Sequence, residues 1–194
     1  MELDFEDYAI SPTEIRKVVD SAKSVRLEGK TLLYNRFRVK ESNIFIKTDE
    51  EVFYSAVEAA LRHRAELERY LERRPDILYS LEPMDVEESS PQIIKRMCSA
   101  AKIAGVGPMA AVAGALADLT AEAAIGLGAS GILVEDGGEI YAEGKYSFTV
   151  SVGAGGSSVS RRIGFRLTPD LYPVGIATSS ATVGHAISFG RADA

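Results

Sequence analysis

The sequence contains one cysteine, Cys98, two histidines, His63 and His185, and no tryptophan. That excludes a disulfide framework, a cysteine-rich zinc site and a multi-histidine metal centre, so any metal held by the chain sits on oxygen. Long apolar runs are missing as well. The most apolar uncharged stretch, Ile103 to Ala117, is broken by Gly105, Gly107 and Pro108, and it falls short of the ~20 apolar residues that span a bilayer. No transmembrane helix is expected. Basic charge is in deficit, with 22 Lys and Arg against 28 Asp and Glu, for a net charge of -6. The mean field therefore repels phosphate backbones and anionic lipid, and neither nucleic acid nor membrane is expected as a partner. The N-terminus, Met1 to Tyr8, is acidic where an export signal is basic and then apolar, which reads as cytoplasmic.

What is present describes an ordinary globular chain: 194 residues, 46% apolar and 26% charged. That length suffices to bury roughly two thirds of the unfolded surface in one compact domain. Ser11-Pro12-Thr13-Glu14 sets an N-cap, a proline at the first helical position and an acid three residues on, before Ile15, Val18, Val19 and Ala22 on one face. Residues 1–25 are read as a peripheral helical segment. Phe37 and Val39 alternate with Arg36, Arg38 and Lys40, and Ile44 and Ile46 with Asn43 and Lys47, across the turn at Glu41-Ser42. This predicts a half-buried hairpin whose basic row is its solvated side.

Thr48 to Glu51 repeats the capping box ahead of a long amphipathic helix that runs to Pro75, with His63 among outward charges. Ser90-Pro91 opens another helix, with Ile93, Ile94, Met97, Cys98 and Ala101 as its apolar face, so Cys98 is a core thiol. A third helix, Pro108 to Ile125, carries a stripe of Ala110, Ala113, Gly114 and Ala117 that calls for close packing. Strand patterns follow: Gly131 to Glu135, Glu139 to Ala142, Tyr146 to Val152, Arg162 to Leu167 and Val174 to Thr178. Helices early and strands late indicate α+β, with a mostly antiparallel sheet covered by long helices.

Three segments can carry chemistry. Gly105-Val106-Gly107-Pro108-Met109-Ala110 has the letters of a dinucleotide fingerprint but follows a helix instead of a strand. What remains is Gly107 beside the free N–H groups of a helix start, which suits either an anion or a plain turn. Glu135-Asp136-Gly137-Gly138-Glu139 places three carboxylates around two glycines: a turn alone, or a seat for Mg²⁺ or for the edge of a flat ligand. Asp118 and Glu122, one helical turn apart, either share a cation or form a solvated pair. Thr178, Ser179, Ser180 and Thr182, with His185, gather hydroxyls after an apolar strand, with no GxSxG elbow.

Read in order, VAGALAD from Val112, ILVEDGGEI from Ile132, and ATSS from Ala177 with Ser188-Phe189-Gly190 resemble the flavin transferase ApbE. More closely, GVGPMAAVAGALA and VEDGGEIY, with RFRVKES and SSATVGHAISFG, resemble its short, uncharacterised ApbE-like relatives over most of residues 31 to 194. The resemblance implies an ApbE-like, T-fold-related domain that binds FAD or FMN with Mg²⁺ and transfers FMN to a Thr or Ser of an acceptor. By position it implies flavin contacts at Gly114, Ala117, Gly137, Gly138, Glu139, Thr178 and Ser179, and it matches His185 to a histidine near the flavin, a candidate proton shuttle. Gly107 and Ser180 join the candidate cofactor contacts from the reading of their own segments, Asp136, Glu139 and Glu122 are the carboxylates left to hold a metal, and Asp118 is a further candidate for catalysis. The alternative is a non-catalytic nucleotide-binding or assembly subunit. Asp118 stands where ApbE has lysine, and Glu135-Asp136 replaces its Asn-Ala. Family members also continue past Ala194 into a strand and a helix bearing Mg²⁺ ligands, so a shortened C-terminus is expected. Ile132, Leu133, Ile163, Phe165 and Leu167, on strands short of cover, point to a homo-oligomer.

Overall fold

The computed structural model describes residues 12–153, 158 and 160–178. Helix α1 (Pro12–Asp20) leads into strands β1 (Lys23–Leu27), β2 (Lys30–Val39) and β3 (Ser42–Asp49). Then come α2 (Glu50–Arg73), the short α3 (Asp76–Tyr79), α4 (Gln92–Ala104) and α5 (Val112–Gly126). Strands β4 (Gly131–Asp136), β5 (Glu139–Gly144), β6 (Phe148–Ser151), β7 (Gly164–Leu167) and β8 (Val174–Ile176) complete the order. The fold is α+β. Six strands form one antiparallel sheet in the order β1-β2-β3-β4-β5-β8, and β6 and β7 pair as a separate two-stranded sheet.

Strand periodicity of two assigns every sheet residue to a face. Along one face the register aligns Phe37, Ile44, Asp136 and Glu139, then Asn35, Ile46, Val134, Tyr141 and Gly175. This face packs on the helices, where Phe53, Ala56, Val57, Ala60, Leu116 and Ala121 are buried with Ile44, Ile46 and Val134. The outer face aligns Lys23, Tyr34, Lys47, Leu133, Ala142 and Val174, then Arg36, Phe45, Glu135, Ile140 and Ile176. Part of it is covered by the small sheet through Phe148 and Leu167, which bury Leu32, Leu133 and Ala142.

Several local expectations need correction. Asp49, not Thr48, caps α2, and neither makes a side-chain capping bond. The Asp49 carboxylate instead accepts the Ser130 backbone N–H and the Tyr146 hydroxyl at 2.8 Å, while Thr48 Oγ1 donates to the Gly131 carbonyl. His63 and Arg64 are buried, not outward. Because α2 packs against β3, α4 and α5, little of its circumference is left for water. His63 Nδ1 lies 3.0 Å from Glu66, and Arg64 pairs with Glu41 and Glu68. Ile132, Leu133 and Leu167 are buried, whereas Ile163 and Phe165 are more than half exposed. Cys98 is buried as expected, and burial pushes its thiol pKa up.

The Ala-rich segment starts as a 3-10 turn, Pro108–Ala111, before α5 proper. Together, Pro108–Gly126 is long and apolar enough to cross a membrane, which the uncharged run alone did not reveal. In the fold it is a core helix lodged on α2, β4 and β5. The stripe is not closely packed at Gly114, where no described atom lies within 4 Å of an added Cβ.

Asp49→Ala strands the Ser130 N–H and the Tyr146 hydroxyl in a buried junction. It is expected to cost about 2–3 kcal/mol of unfolding free energy, measured by urea denaturation against Asp49→Asn, which keeps an acceptor and costs less.

Candidate functional site

Gly137 and Gly138 form a two-residue turn between β4 and β5, with φ of +63° and +114°. A two-residue I′ hairpin needs positive φ at both positions, which explains the paired glycines before any ligand is invoked. Gly138 has a second reason to lack a side chain: an added Cβ would stand 2.8 Å from Thr178 Oγ1. The turn and the threonine segment, 40 residues apart in sequence, therefore meet.

The turn separates its carboxylates by face. Glu135 lies on the outer side, where it ion-pairs with Arg36 and accepts the Gly138 N–H at 3.0 Å. Asp136 and Glu139 are direct cross-strand partners on the helix side. Asp136 is buried and accepts the Asn43 N–H at 2.9 Å; Glu139 is half-buried. Burial pushes the Asp136 carboxyl above its ordinary range, against hydrogen bonds from Ser42 and Asn43. Burial also raises Glu139, and the Asp136 and Glu135 charges add to it. Two like charges side by side in partial burial form a site that gains from a cation.

Helix α5 and β4 are joined by a short turn and pack together. The chain reverses there, so the N-terminal end of α5, with its open position at Gly114, lies toward the 136–139 turn.

Other predicted residues are placed elsewhere. Gly107 is closed to an anion on its Cα side: an added Cβ would sit 1.8 Å from the Ser80 carbonyl oxygen. Its glycine serves the contact between the chain after α3 and the turn after α4. Ala117 is fully buried. Asp118 and Glu122 do share a cation, and it is Arg96 of α4, whose guanidinium donates to Asp118 Oδ2 at 3.2 Å and to both Glu122 oxygens at 2.8 and 3.0 Å. Half-burial raises the Asp118 carboxyl, with Arg96 pulling it back. Beside it, burial and a 2.8 Å bond to Glu143 hold the Tyr141 phenol well above its ordinary value. Arg96 and Tyr141 were not among the expected site residues; the i, i+4 acids were the only local sign that a cation was needed. Among the described residues, no group of three or more His, Cys, Asp or Glu side chains is gathered for a metal. Ser179, Ser180 and His185 lie outside the described residues.

With this geometry, a family model described as AbpE bacteria matches residues 22–194. The chain belongs to that ApbE-related family. It is 43% identical over 162 residues to a UPF0280 protein of Methanocaldococcus jannaschii, covering 82% of this chain and 65% of the relative. It is 37% identical to one of Methanococcus aeolicus over 84% of this chain and 67% of the relative, and 42% to one of Archaeoglobus fulgidus over 82% and 65%. The chain thus spans about 65% of the length of the relatives it matches.

Glu139→Gln removes one of two facing charges and is expected to raise stability at pH 7 by about 0.5–1 kcal/mol. In the parent, a carboxyl whose folded pKa is raised contributes stability that is full below its unfolded pKa and lost as pH rises through the folded one. The gain from Glu139→Gln should therefore vanish on acidification to about pH 4, read by denaturation across pH.

Proposed function

We propose that this chain is a flavin-nucleotide-binding protein of ApbE-like, T-fold-related architecture. Its site lies between the N-terminal end of α5, the Asp136–Glu139 turn and the segment that begins at Thr178. The observation that carries this reading is the pairing of buried Asp136 with half-buried Glu139 beside the Gly138–Thr178 contact.

The donor set fits Mg²⁺. This ion is commonly held by one or two carboxylates, with water and substrate phosphates completing its octahedron, and the raised carboxyls of Asp136 and Glu139 supply two. Bound there, Mg²⁺ would neutralise the pyrophosphate of FAD. The residues have separate tasks: Asn43 and Ser42 orient Asp136, the glycine turn lets the backbone approach a flat ring, and Gly114 leaves room at the helix end. In FMN transfer the acceptor hydroxyl oxygen bonds to the FMN phosphorus, the P–O–P bond to AMP breaks, and the hydroxyl proton passes to a base, for which His185 is the candidate. The second reading, binding without chemistry, is favoured by the Arg96 clamp, which engages both Asp118 and Glu122. Exposed Ile163 and Phe165 support self-association, which light scattering checks against the 20.9 kDa chain.

The protein is expected to bind FAD in a Mg²⁺-dependent manner by calorimetry, and Glu139→Gln should abolish that dependence. Incubation with FAD, Mg²⁺ and a threonine-containing acceptor should add FMN to the acceptor by mass spectrometry. FAD binding without that adduct selects the non-catalytic reading, and no heat with FAD or FMN in either condition rejects flavin binding.

A further inference from the structure

The net charge of -6 hides a segregation. Residues 23–49, which form β1–β3, carry seven basic and three acidic side chains, and residues 145–168, which include the small sheet, carry four basic and none acidic. These 51 residues hold a net +8, leaving -14 on the rest of the chain.

The register gathers five of these cations on one surface. Lys23, Lys30, Arg36, Arg38 and Lys47 all fall on the outer side of the sheet. On the helix side, three cations are neutralised: Arg64 by Glu41 and Glu68, Arg96 by Asp118 and Glu122, Lys102 by Asp85. Of the outer five, only Arg36 has a carboxylate partner among the described residues. Lys30 donates to the Ser130 hydroxyl and Arg38 to the Lys40 carbonyl, contacts that leave their charge uncancelled. Lys47 lies over the rings of Tyr34 and Phe148, at 6.0 and 5.7 Å from their centroids, and burial lowers its pKa.

Aromatic rings sit among these cations. Tyr34 and Phe45, on adjacent strands, are half-buried with centroids 6.2 Å apart, and the Arg36 guanidinium stands 5.3 Å over Phe45. The small sheet covers the neighbouring Leu133 and Ala142 and reaches the edge of this corner at Phe45 and Lys47, while Tyr34 and Phe45 stay partly exposed among the described residues.

From this surface we infer that the outer face of β1–β3 docks single-stranded nucleic acid. Uncancelled cations draw a phosphate chain, and rings among them accept unstacked bases without regard to sequence. A duplex is the poorer fit, because its stacked bases do not expose their faces to the rings.

The test is fluorescence anisotropy of the full chain with a labelled oligouridylate. Four phosphate contacts should weaken binding about 50-fold between about 50 and 200 mM salt. Lys23→Glu with Arg38→Glu, both on exposed positions, should weaken it at least about tenfold and reduce the salt slope by about 1.4. Tyr34→Ala should cost about tenfold, with thermal melts confirming folding, and Lys95→Glu with Lys102→Glu on the helix side should change nothing. The inference is overturned by no binding at the lower salt, by equal losses from the two charge-reversal pairs, by a duplex that binds as tightly, or by preferential sedimentation with phosphatidylserine vesicles.

Discussion

The Asp49 carboxylate is buried where three parts of the molecule meet. It ends β3, begins α2, takes the N–H of Ser130 just before β4, and takes the hydroxyl of Tyr146 at the entry to the small sheet. A buried carboxylate has no low-cost state without such donors, so the helix layer, the central strand and the outer sheet can meet there in one arrangement. The neighbouring backbone is equally constrained. Gly131 lies under the Tyr146 ring, and Gly144, at φ +123°, faces Gly131 across β4–β5. The register of β4 is fixed from this end, and that register puts Asp136 and Glu139 opposite each other at the far end.

Most elements were legible because their periodicity is local. The hairpin of Phe37 and Ile44, the long α2 and the five late strands follow from spacing alone. The errors share a physical origin in contacts between residues distant in sequence. His63 and Arg64 look like part of a charged surface until α2 is seen to be covered by β3, α4 and α5. Gly107 looks like an anion seat until the Ser80 carbonyl fills its Cα side. Asp118 and Glu122 announced a cation but not which one, because Arg96 lies on another helix. The turn glycines were read correctly as special, yet the hairpin's positive φ values and the Thr178 contact account for them without a ligand.

Charge behaves in the same way. A whole-chain value says little about a surface when strands collect alternate residues on one side. The hairpin's basic row is solvated, as its alternation requires. The fold adds that Lys23 and Lys47 join it from neighbouring strands, that Tyr34 and Phe45 lie between them, and that the compensating acids stay largely on the helical side. Membership of the ApbE-related family is silent on this surface.

The segment Pro108–Gly126 has a consequence for how the protein is made. As it leaves the ribosome it presents an apolar stretch of bilayer length, a stretch that membrane-insertion machinery selects. Its place in the chain order works against that outcome. Domains fold largely as they are synthesised, N-terminal parts first, and α2, a principal partner of α5, has already been translated. The two strands that complete its pocket, β4 and β5, follow within twenty residues. The order of synthesis thus offers this helix a protein interior before it must look for a lipid one.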